Sequence, residues 1–246
     1  MKINFLGTNG WYDTQTGNTI CVLVETGSEY VVFDAGSGLY KLDSFIKDSR
    51  PIYLFLSHFH LDHIFGLHAL NKFSFPQGIN IFGPPGLKRY IKTIISQPFT
   101  MPLKDLKTKV RLIELSGSKA LPINISFLKL KHTSLCYGYR LTVKDRALAY
   151  LTDTGLCNNL FKLARNVDVL ISESSLGPGE SSRWPHLNPE SSAEVAKKSN
   201  VKKLILTHFD SSIYDTLSKR RRAGILARKV FKNTLIAYDN MKVSLK

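Results

Sequence analysis

The segment "SHFHLDHIFGL" at residues 57–67 carries three histidines and an aspartate within six positions, directly after an apolar run. If the chain stays extended through His58 and His60, both side chains point the same way, because side chains alternate along a strand. Asp62 and His63 then begin the helical segment that we expect over "HIFGLHALNKF". Imidazole and carboxylate together suit zinc, and also manganese or iron. The segment therefore predicts a metal site, against the alternative of a histidine-rich turn held only by packing.

Three more polar residues end apolar, strand-like runs further along the chain. They are His132 in "ISFLKLKH", Asp153 in "LAYLTD" and His208 in "KLILTHF". Taken singly, each is as readily a hydrogen-bonded structural residue as a ligand. Loops at strand ends form the rims on which sites are built, so the three residues together with the first segment predict one metal centre.

The two halves of the chain share a short pattern. Ser-His-Phe at 57–59 is matched by Thr-His-Phe at 207–209, and Asp34 in "VVFDAG" is matched by Asp153 in "AYLTDTG". Each half thus has an Asp-x-Gly strand end followed by a hydroxyl-His-Phe strand end. This pattern predicts two similar halves whose strand ends meet at a shared edge.

Composition predicts an ordinary globular chain. It has 246 residues, of which 43% are hydrophobic and 22% charged, and no segment approaches the roughly 18 consecutive apolar residues of a membrane helix. The opening "MKINFLGTNG" lacks the apolar core of a secretory signal. These features predict a cytoplasmic protein that does not bind membranes, and the lack of a linker-like stretch predicts a single domain over residues 1–246.

The order of strand-like and helix-like segments predicts an α/β fold. Strand-like runs dominate the first part, and helices alternate with strands from "LFKLARN" at residues 160–166 onward. Antiparallel strands flanked by helices suggest two packed sheets with helices outside. One helix should begin at Pro189 with Asn188 as its N-cap, and the basic "SKRRRAG" at 218–224 should lie on a helix near the C-terminus.

Charge favours anionic partners. The formal net charge is +15, and a positive field concentrates phosphate-bearing ligands, nucleic acid among them. The alternative is a solvated, lysine-rich surface. The three cysteines Cys21, Cys136 and Cys157 form no CxxC pair and are interpreted as small hydrophobic residues. The sequence leaves a homodimer open.

The HxHxDH motif, followed by single His, Asp and His residues at strand ends, resembles the metallo-β-lactamase fold superfamily over nearly the whole chain. The resemblance implies a four-layered αβ/βα sandwich of two mixed sheets with outer helices. It also implies two divalent metal ions, with Zn²⁺ favoured and Mn²⁺ or Fe as alternatives. Asp34 would support the metal loop without touching metal. The implied ligands are His58, His60 and His132 for one ion, Asp62, His63 and His208 for the other, and Asp153 as the bridge.

The resemblance also implies hydrolysis, because two ions lower the pKa of a bridging water and produce a hydroxide nucleophile. His186 in "RWPHLNPE" resembles a histidine of ribonuclease Z and of small cyclic phosphodiesterases that assists phosphodiester cleavage. Asp62 and His186 are therefore the catalytic candidates. Glu173 at the end of "VDVLISE" would orient His186. The alternatives are a histidine that caps its own loop and an unrelated loop carboxylate.

The short segment between His132 and Asp153 decides between these relatives. Ribonuclease Z enzymes of the well-known type carry a long tRNA-gripping arm there, whereas this chain has only 20 residues. The compact form looks more like phosphoribosyl cyclic phosphate phosphodiesterase, although only Cys21 stands where those enzymes carry a cysteine-based zinc site. The favoured prediction is a metal-dependent phosphodiesterase of small or cyclic nucleotide-like esters. The alternatives are a ribonuclease Z-like tRNA 3′-processing enzyme and a non-catalytic, metal-dependent nucleic-acid-binding module.

Overall fold

A computed structural model of the chain describes residues 1–117 and 120–245. The described residues form two compact units. Unit 1 comprises the described residues within Met1–Gly7, Asn18–Lys119 and Asp239–Lys246, and unit 2 those within Thr8–Gly17 and Ala120–Tyr238. Each unit contains its own mixed sheet, so the predicted α/β class is confirmed.

The strands account for most of the regular structure. In chain order they are β1 (Lys2–Gly7), β2 (Asn9–Gly10), β3 (Cys21–Glu25), β4 (Tyr30–Phe33), β5 (Ile52–Phe55), β6 (Ile79–Gly83), β7 (Val110–Glu114), β8 (Ile125–Lys129), β9 (Tyr137–Val143), β10 (Arg146–Leu151), β11 (Val169–Glu173), β12 (Lys203–Thr207), β13 (Phe209–Asp210), β14 (Thr234–Ile236) and β15 (Lys242–Ser244).

Helices are fewer and mostly short. The α-helices are α1 (Leu61–Ile64), α2 (Leu87–Ile94), α3 (Asn158–Ala164), α4 (Pro189–Lys198) and α5 (Leu217–Val230), and 3₁₀ turns cover Ser37–Ser44, Phe65–Lys72 and Leu103–Asp105. Among the described residues, no helix has the length and apolar character needed to cross a membrane.

Unit 1 has a seven-stranded sheet in the order β15-β1-β3-β4-β5-β6-β7. The strands from β4 to β7 run parallel, with Phe33 of β4 opposite Phe55 of β5. One face is packed with apolar side chains such as Leu23, Val32 and Leu54. Because the carboxyl ends of parallel neighbours meet at one edge, the residues that follow β4 and β5 lie together.

Unit 2 has a six-stranded sheet in the order β14-β12-β11-β10-β9-β8. Strands β10, β11, β12 and β14 run parallel to their neighbours in this sheet. Glu173 of β11 lies opposite Thr207 of β12. A second apolar cluster, which includes Ala149, Leu170 and Leu206, packs this unit. Residues at the carboxyl ends of β10, β11 and β12 therefore share one edge of this sheet.

Two helix predictions can be compared with the structure. Asn188 caps α4 as predicted: its side chain accepts a hydrogen bond from the backbone of Ser191, whose hydroxyl bonds back in a capping box. The segment after the histidines is not one α-helix, because α1 gives way to the 3₁₀ turn at Phe65. Gly66 packs so tightly on the Gly36 carbonyl that a Cβ would lie 2.0 Å from it. This tertiary contact overrides the helical spacing.

Candidate metal centre

In unit 1, the carboxylate of Asp34 positions the histidine segment through hydrogen bonds to two of its residues. Its Oδ1 accepts a hydrogen bond from the backbone N–H of Ser57 at 2.7 Å, and its Oδ2 accepts one from the Ser57 hydroxyl at 2.9 Å. Oδ2 also lies 2.8 Å from Nδ1 of His63. Asp34, Ser57 and His63 are all fully buried, so this carboxylate holds the start of the loop and the first helical turn in fixed positions.

The same network assigns the tautomer of His58. The single proton of the Ser57 hydroxyl goes to Asp34, because a carboxylate only accepts. The Ser57 oxygen therefore accepts from Nδ1–H of His58 at 2.9 Å. His58 is left with a lone pair on Nε2, the form in which imidazole binds a metal. The rings of His60 and His63 lie 4.4 Å and 4.2 Å from that of His58, centroid to centroid.

His63 and Asp62 form an arrangement that fits a cation. Nδ1–H of His63 is committed to Asp34, so in the neutral ring, the form in which imidazole binds a metal, Nε2 is an acceptor. That Nε2 faces Oδ2 of Asp62 at 3.5 Å. Two acceptors facing each other repel, and a divalent ion that both could ligate would make the pair favourable. The donor set of unit 1 therefore fits a metal.

Unit 2 repeats this arrangement at His208. The Ser175 hydroxyl donates to the His208 carbonyl at 3.0 Å, so its oxygen accepts from Nδ1–H of the same residue at 3.0 Å. Nε2 of His208 then faces Oδ2 of Asp153 at 3.3 Å. The donor set of unit 2 fits a metal for the same reason as that of unit 1.

His132 lies beside these residues in unit 2. The backbone N–H of Gly155 donates to the carbonyl of Lys131 at 2.9 Å, which joins the loop after Asp153 to the residue before His132. The His132 ring lies 5.4 Å from the His186 ring, centroid to centroid. Unit 2 thus brings together the candidate ligands His132, Asp153 and His208 and the candidate catalytic residue His186.

His186 is held by a buried carboxylate. Its Nδ1 lies 3.0 Å and 3.1 Å from the two oxygens of Glu173, and one of those oxygens also accepts from the backbone N–H of Thr154 at 2.5 Å. Glu173 is fully buried, whereas the His186 side chain is 18% exposed. The carboxylate keeps the proton on Nδ1 and leaves Nε2 as the nitrogen that can act on a substrate.

Three of the predicted site residues adopt left-handed backbone conformations. Asp34, Asp153 and His208 have φ values of 56°, 50° and 49°. Residues other than glycine rarely adopt this backbone region, because it brings steric strain. Such strain persists where the surrounding contacts impose the conformation, often at functional sites. Each of these residues directly follows a parallel strand or comes within two residues of one, so each lies at the carboxyl-end edge of its sheet.

Two serines, Ser57 and Ser175, hydrogen-bond to candidate ligand histidines, although neither was predicted as a site residue. Ser57 stands inside the quoted segment, and its position before a ligand histidine was a usable signal. Ser175 lies in "ISESSLG" and had no such signal, because its partner His208 is 33 residues away. Thr207 precedes His208 as Ser57 precedes His58. The hydroxyl that bonds to Nδ1 of His208, however, is that of Ser175 and not that of Thr207.

Comparison with known proteins assigns the family. The family profile described as "Beta-lactamase superfamily domain" matches residues 29–209. The chain belongs to this family. The predicted metallo-β-lactamase fold is thereby confirmed, and with it the class of metal-dependent hydrolase. A fold of this superfamily implies divalent metal ions.

Curated relatives carry the name ribonuclease Z. The protein of that name from Microcystis aeruginosa is 29% identical over 305 aligned positions, which cover 97% of this chain and 94% of that protein. The aligned length exceeds the 246 residues of this chain. The relative therefore carries insertions that this chain lacks.

Solved structures agree on the fold. The metallo-β-lactamase fold protein YhfI from Bacillus subtilis has a TM-score of 0.81 at 22% identity and covers 98% of both chains. Human tRNase Z, short form, has a TM-score of 0.78 at 25% identity and covers 100% of both chains. A diphosphatase of the PhnP family has a TM-score of 0.74 at 18% identity over 100% of this chain and 98% of its own. The structures at 18% and 22% identity show the shared fold, and the predicted resemblance to ribonuclease Z is confirmed by the curated relatives of that name.

Proposed function

We propose that the chain hydrolyses phosphodiester bonds in RNA, as a ribonuclease Z-like 3′-end processing enzyme. The observation that carries the proposal is the pairing of His186 with buried Glu173 at 3.0 and 3.1 Å. A carboxylate stabilises the imidazolium form, so His186 can carry a proton on Nε2 and deliver it to a leaving oxygen. The names of the curated relatives and the net charge of +15 support RNA as the substrate.

The same proposal assigns the metal ligands. In unit 1 they are His58, His60, Asp62 and His63, and in unit 2 they are His132, Asp153 and His208. The facing acceptors at His63 and Asp62 and at His208 and Asp153 support this set. When bound, divalent ions supply an activated water and stabilise the negative charge that develops on phosphate oxygens. Zn²⁺ remains the favoured ion, with Mn²⁺ or Fe as alternatives.

Side chains of the chain itself would orient the ligand histidines and deliver the proton to the leaving oxygen. Asp34 and Ser57 hold the histidines of unit 1 in the tautomers that expose Nε2, and Ser175 does so for His208. Asp62 combines its ligand role with the catalytic role predicted from the sequence. His186 is not tied up as a ligand in this scheme, because Glu173 fixes its Nδ1 and its edge is accessible to substrate.

A second candidate is hydrolysis of a small or cyclic phosphodiester, which the sequence analysis favoured. It is supported by the segment between His132 and Asp153, where β9 and β10 form an antiparallel hairpin joined by two residues. This hairpin has no room for a tRNA-gripping arm. A cytoplasmic location and a homodimer stay predictions.

Precursor tRNA with a 3′ trailer, assayed beside bis(p-nitrophenyl) phosphate, tests the two candidates. The full-length, metal-loaded protein should release the trailer as a single product and should also turn over the small ester. Turnover of small and cyclic esters with intact precursor tRNA would favour the second candidate. A fully metallated protein inert toward every phosphodiester would refute both.

A further inference from the structure

The loop from Thr8 to Gly17 in unit 2 packs directly on a candidate ligand. Its strand β2 pairs in parallel with β13, which follows His208 without a break. A Cβ built on Gly10 would lie 2.5 Å from Cε1 and 2.8 Å from Nδ1 of His208. Only glycine fits there, so the backbone of Gly10 covers one side of the imidazole.

A buried arginine ties this loop down. Arg220 of α5 is fully buried, although it lies in the basic run "SKRRRAG", which was predicted to lie on a helix near the C-terminus. Its guanidinium donates to Thr8 Oγ1 at 3.0 Å, to Thr16 Oγ1 at 2.7 Å and to Asn9 Oδ1. Burying a guanidinium is costly unless its hydrogens are bonded, so the loop and the arginine stabilise each other. Both ends of the loop are thereby fixed.

Trp11 sits at the tip of this anchored loop. The hydroxyl of Ser211 lies within hydrogen-bond distance of the carbonyls of Gly10, at 3.0 Å, and of Tyr12, and shares its single proton between them. The side chain of Asn9 donates to the Tyr12 carbonyl as well, at 3.1 Å. The carbonyls before and after Trp11 are therefore both held in place.

The backbone of Trp11 is strained and its ring is exposed. Its φ is 76° and 75% of the residue is exposed to solvent. A bulky residue in the left-handed region is an outlier that persists only where the surroundings impose it. A single exposed aromatic residue is ordinary by itself. Here a loop anchored by a buried guanidinium holds the backbone of Trp11 one residue from the glycine that packs against His208.

We propose that Trp11 is a stacking platform for a nucleobase of the substrate, next to the catalytic cluster of unit 2. The flat face of an indole binds any base, which suits a site that must hold the base beside a scissile phosphate without reading sequence. Pre-organisation of the loop reduces the entropy lost on binding. This inference rests on the proposed phosphodiesterase function and assigns the substrate group that the enzyme holds.

Fluorescence isolates this residue, because the chain has two tryptophans and Trp184→Phe leaves Trp11 as the only indole. Titration of this metal-loaded variant with adenosine 5′-monophosphate should quench the emission saturably, whereas ribose 5-phosphate should not. Absence of quenching by the nucleotide, or equal quenching by the sugar phosphate, would overturn the proposal. This readout does not depend on turnover, so it decides the proposal even if wild-type protein hydrolyses no ester.

Kinetics supply the second arm. Trp11→Gly removes the ring while glycine adopts the same φ without strain, and it should raise KM for thymidine 5′-(4-nitrophenyl) phosphate by roughly 5- to 150-fold, the factor expected for one stacked base. Methyl 4-nitrophenyl phosphate, which lacks a base, should be turned over as before. Trp11→Phe should retain most of the preference, and Ile225→Ala, which removes an exposed apolar side chain of α5, should change neither KM. An equal effect of Trp11→Gly on both esters would contradict stacking and leave the phosphodiesterase proposal standing.

Discussion

Four histidines of the candidate site have Nδ1 engaged by a neighbour. The partners are Ser57 for His58, Asp34 for His63, Ser175 for His208 and Glu173 for His186. A hydrogen bond at Nδ1 fixes the tautomer and orients the ring, so that Nε2 carries the reactive lone pair or proton. The chemistry of the site therefore depends on the residues behind the imidazoles as much as on the imidazoles.

Replacement of Asp34 tests this dependence in unit 1. Asp34→Asn should weaken metal binding by about 10- to 100-fold, because the amide no longer acts as a pure acceptor for both Ser57 and His63. Asparagine tolerates the left-handed backbone better than most residues, so the fold should survive. Affinity is measured by competition with a chelator.

Asp43 offers a matched control, since it forms a largely exposed ion pair with Lys72. Asp43→Asn should leave metal affinity unchanged. Equal affinities for Asp34→Asn and the wild type would show that the carboxylate does not support the metal loop.

His186 is the residue at which proton transfer can be separated from metal binding. His186→Ala should retain the full metal content but lose about 10²- to 10⁴-fold in phosphodiesterase rate, the usual contribution of a general acid. The exposed His68, whose Nδ1 bonds only to the nearby Phe65 carbonyl among the contacts described, provides the control His68→Ala with an unchanged rate. A wild-type rate in His186→Ala would remove this histidine from the mechanism.

At the scale of elements, parallel strands explain why the site residues meet within each unit. Asp34 and Ser57 follow neighbouring strands β4 and β5, while Asp153, Glu173 and His208 end or follow β10, β11 and β12. Parallel pairing brings these carboxyl ends to one edge. The N-cap of α4, Asn188, lies two residues after His186, which gives the loop that carries this histidine a rigid boundary.

The turn before β11 makes the stability of unit 2 sensitive to acid. Burial alone would raise the pKa of Asp168, but hydrogen bonds from the backbone of Ala147 and from Lys202 and Arg146 outweigh it and lower that pKa. The stabilisation is therefore present above the unfolded pKa of about 3.9. It is lost as the pH falls through the lower folded value.

Urea unfolding at neutral pH and below about pH 4 checks this expectation. Asp168→Asn should lower the free energy of unfolding at neutral pH and flatten its decline in acid. Asp215→Asn, which alters an exposed pair with Lys219, should leave the profile as it is. An unchanged acid limb in Asp168→Asn would assign the sensitivity to other carboxylates.

At the scale of the whole molecule, charge governs how the chain meets RNA. The excess of 34 basic over 19 acidic residues predicts that the logarithm of RNA affinity falls linearly with the logarithm of salt concentration, as phosphate contacts release counterions. Filter binding or fluorescence anisotropy at several salt concentrations measures the slope. KM for bis(p-nitrophenyl) phosphate, which carries one charge, should change far less. Parallel salt dependence of the two would contradict extended phosphate contacts.

The histidine motif, the polar strand ends and the basic charge can all be read from the amino-acid sequence, and they predict the family and the class of reaction. These are local features. His58, Asp153 and His208 can each be recognised as candidate ligands because each follows a strand-like run. The short segment between His132 and Asp153 favours a small ester as the substrate. The curated relatives, which align over nearly the whole chain, favour RNA.

The side chains that hydrogen-bond to the ligand histidines from behind are identified by the folded structure and not by the sequence. Ser175 meets His208 across 33 positions, and Arg220 meets Thr8 across 212. Strand and helix periodicity reports which face of an element is buried, but carries no information on which distant hydroxyl or carbonyl will satisfy a buried donor. For that reason a basic residue in "KRRR" proved to be an internal anchor, and the loop it holds presents Trp11 to solvent.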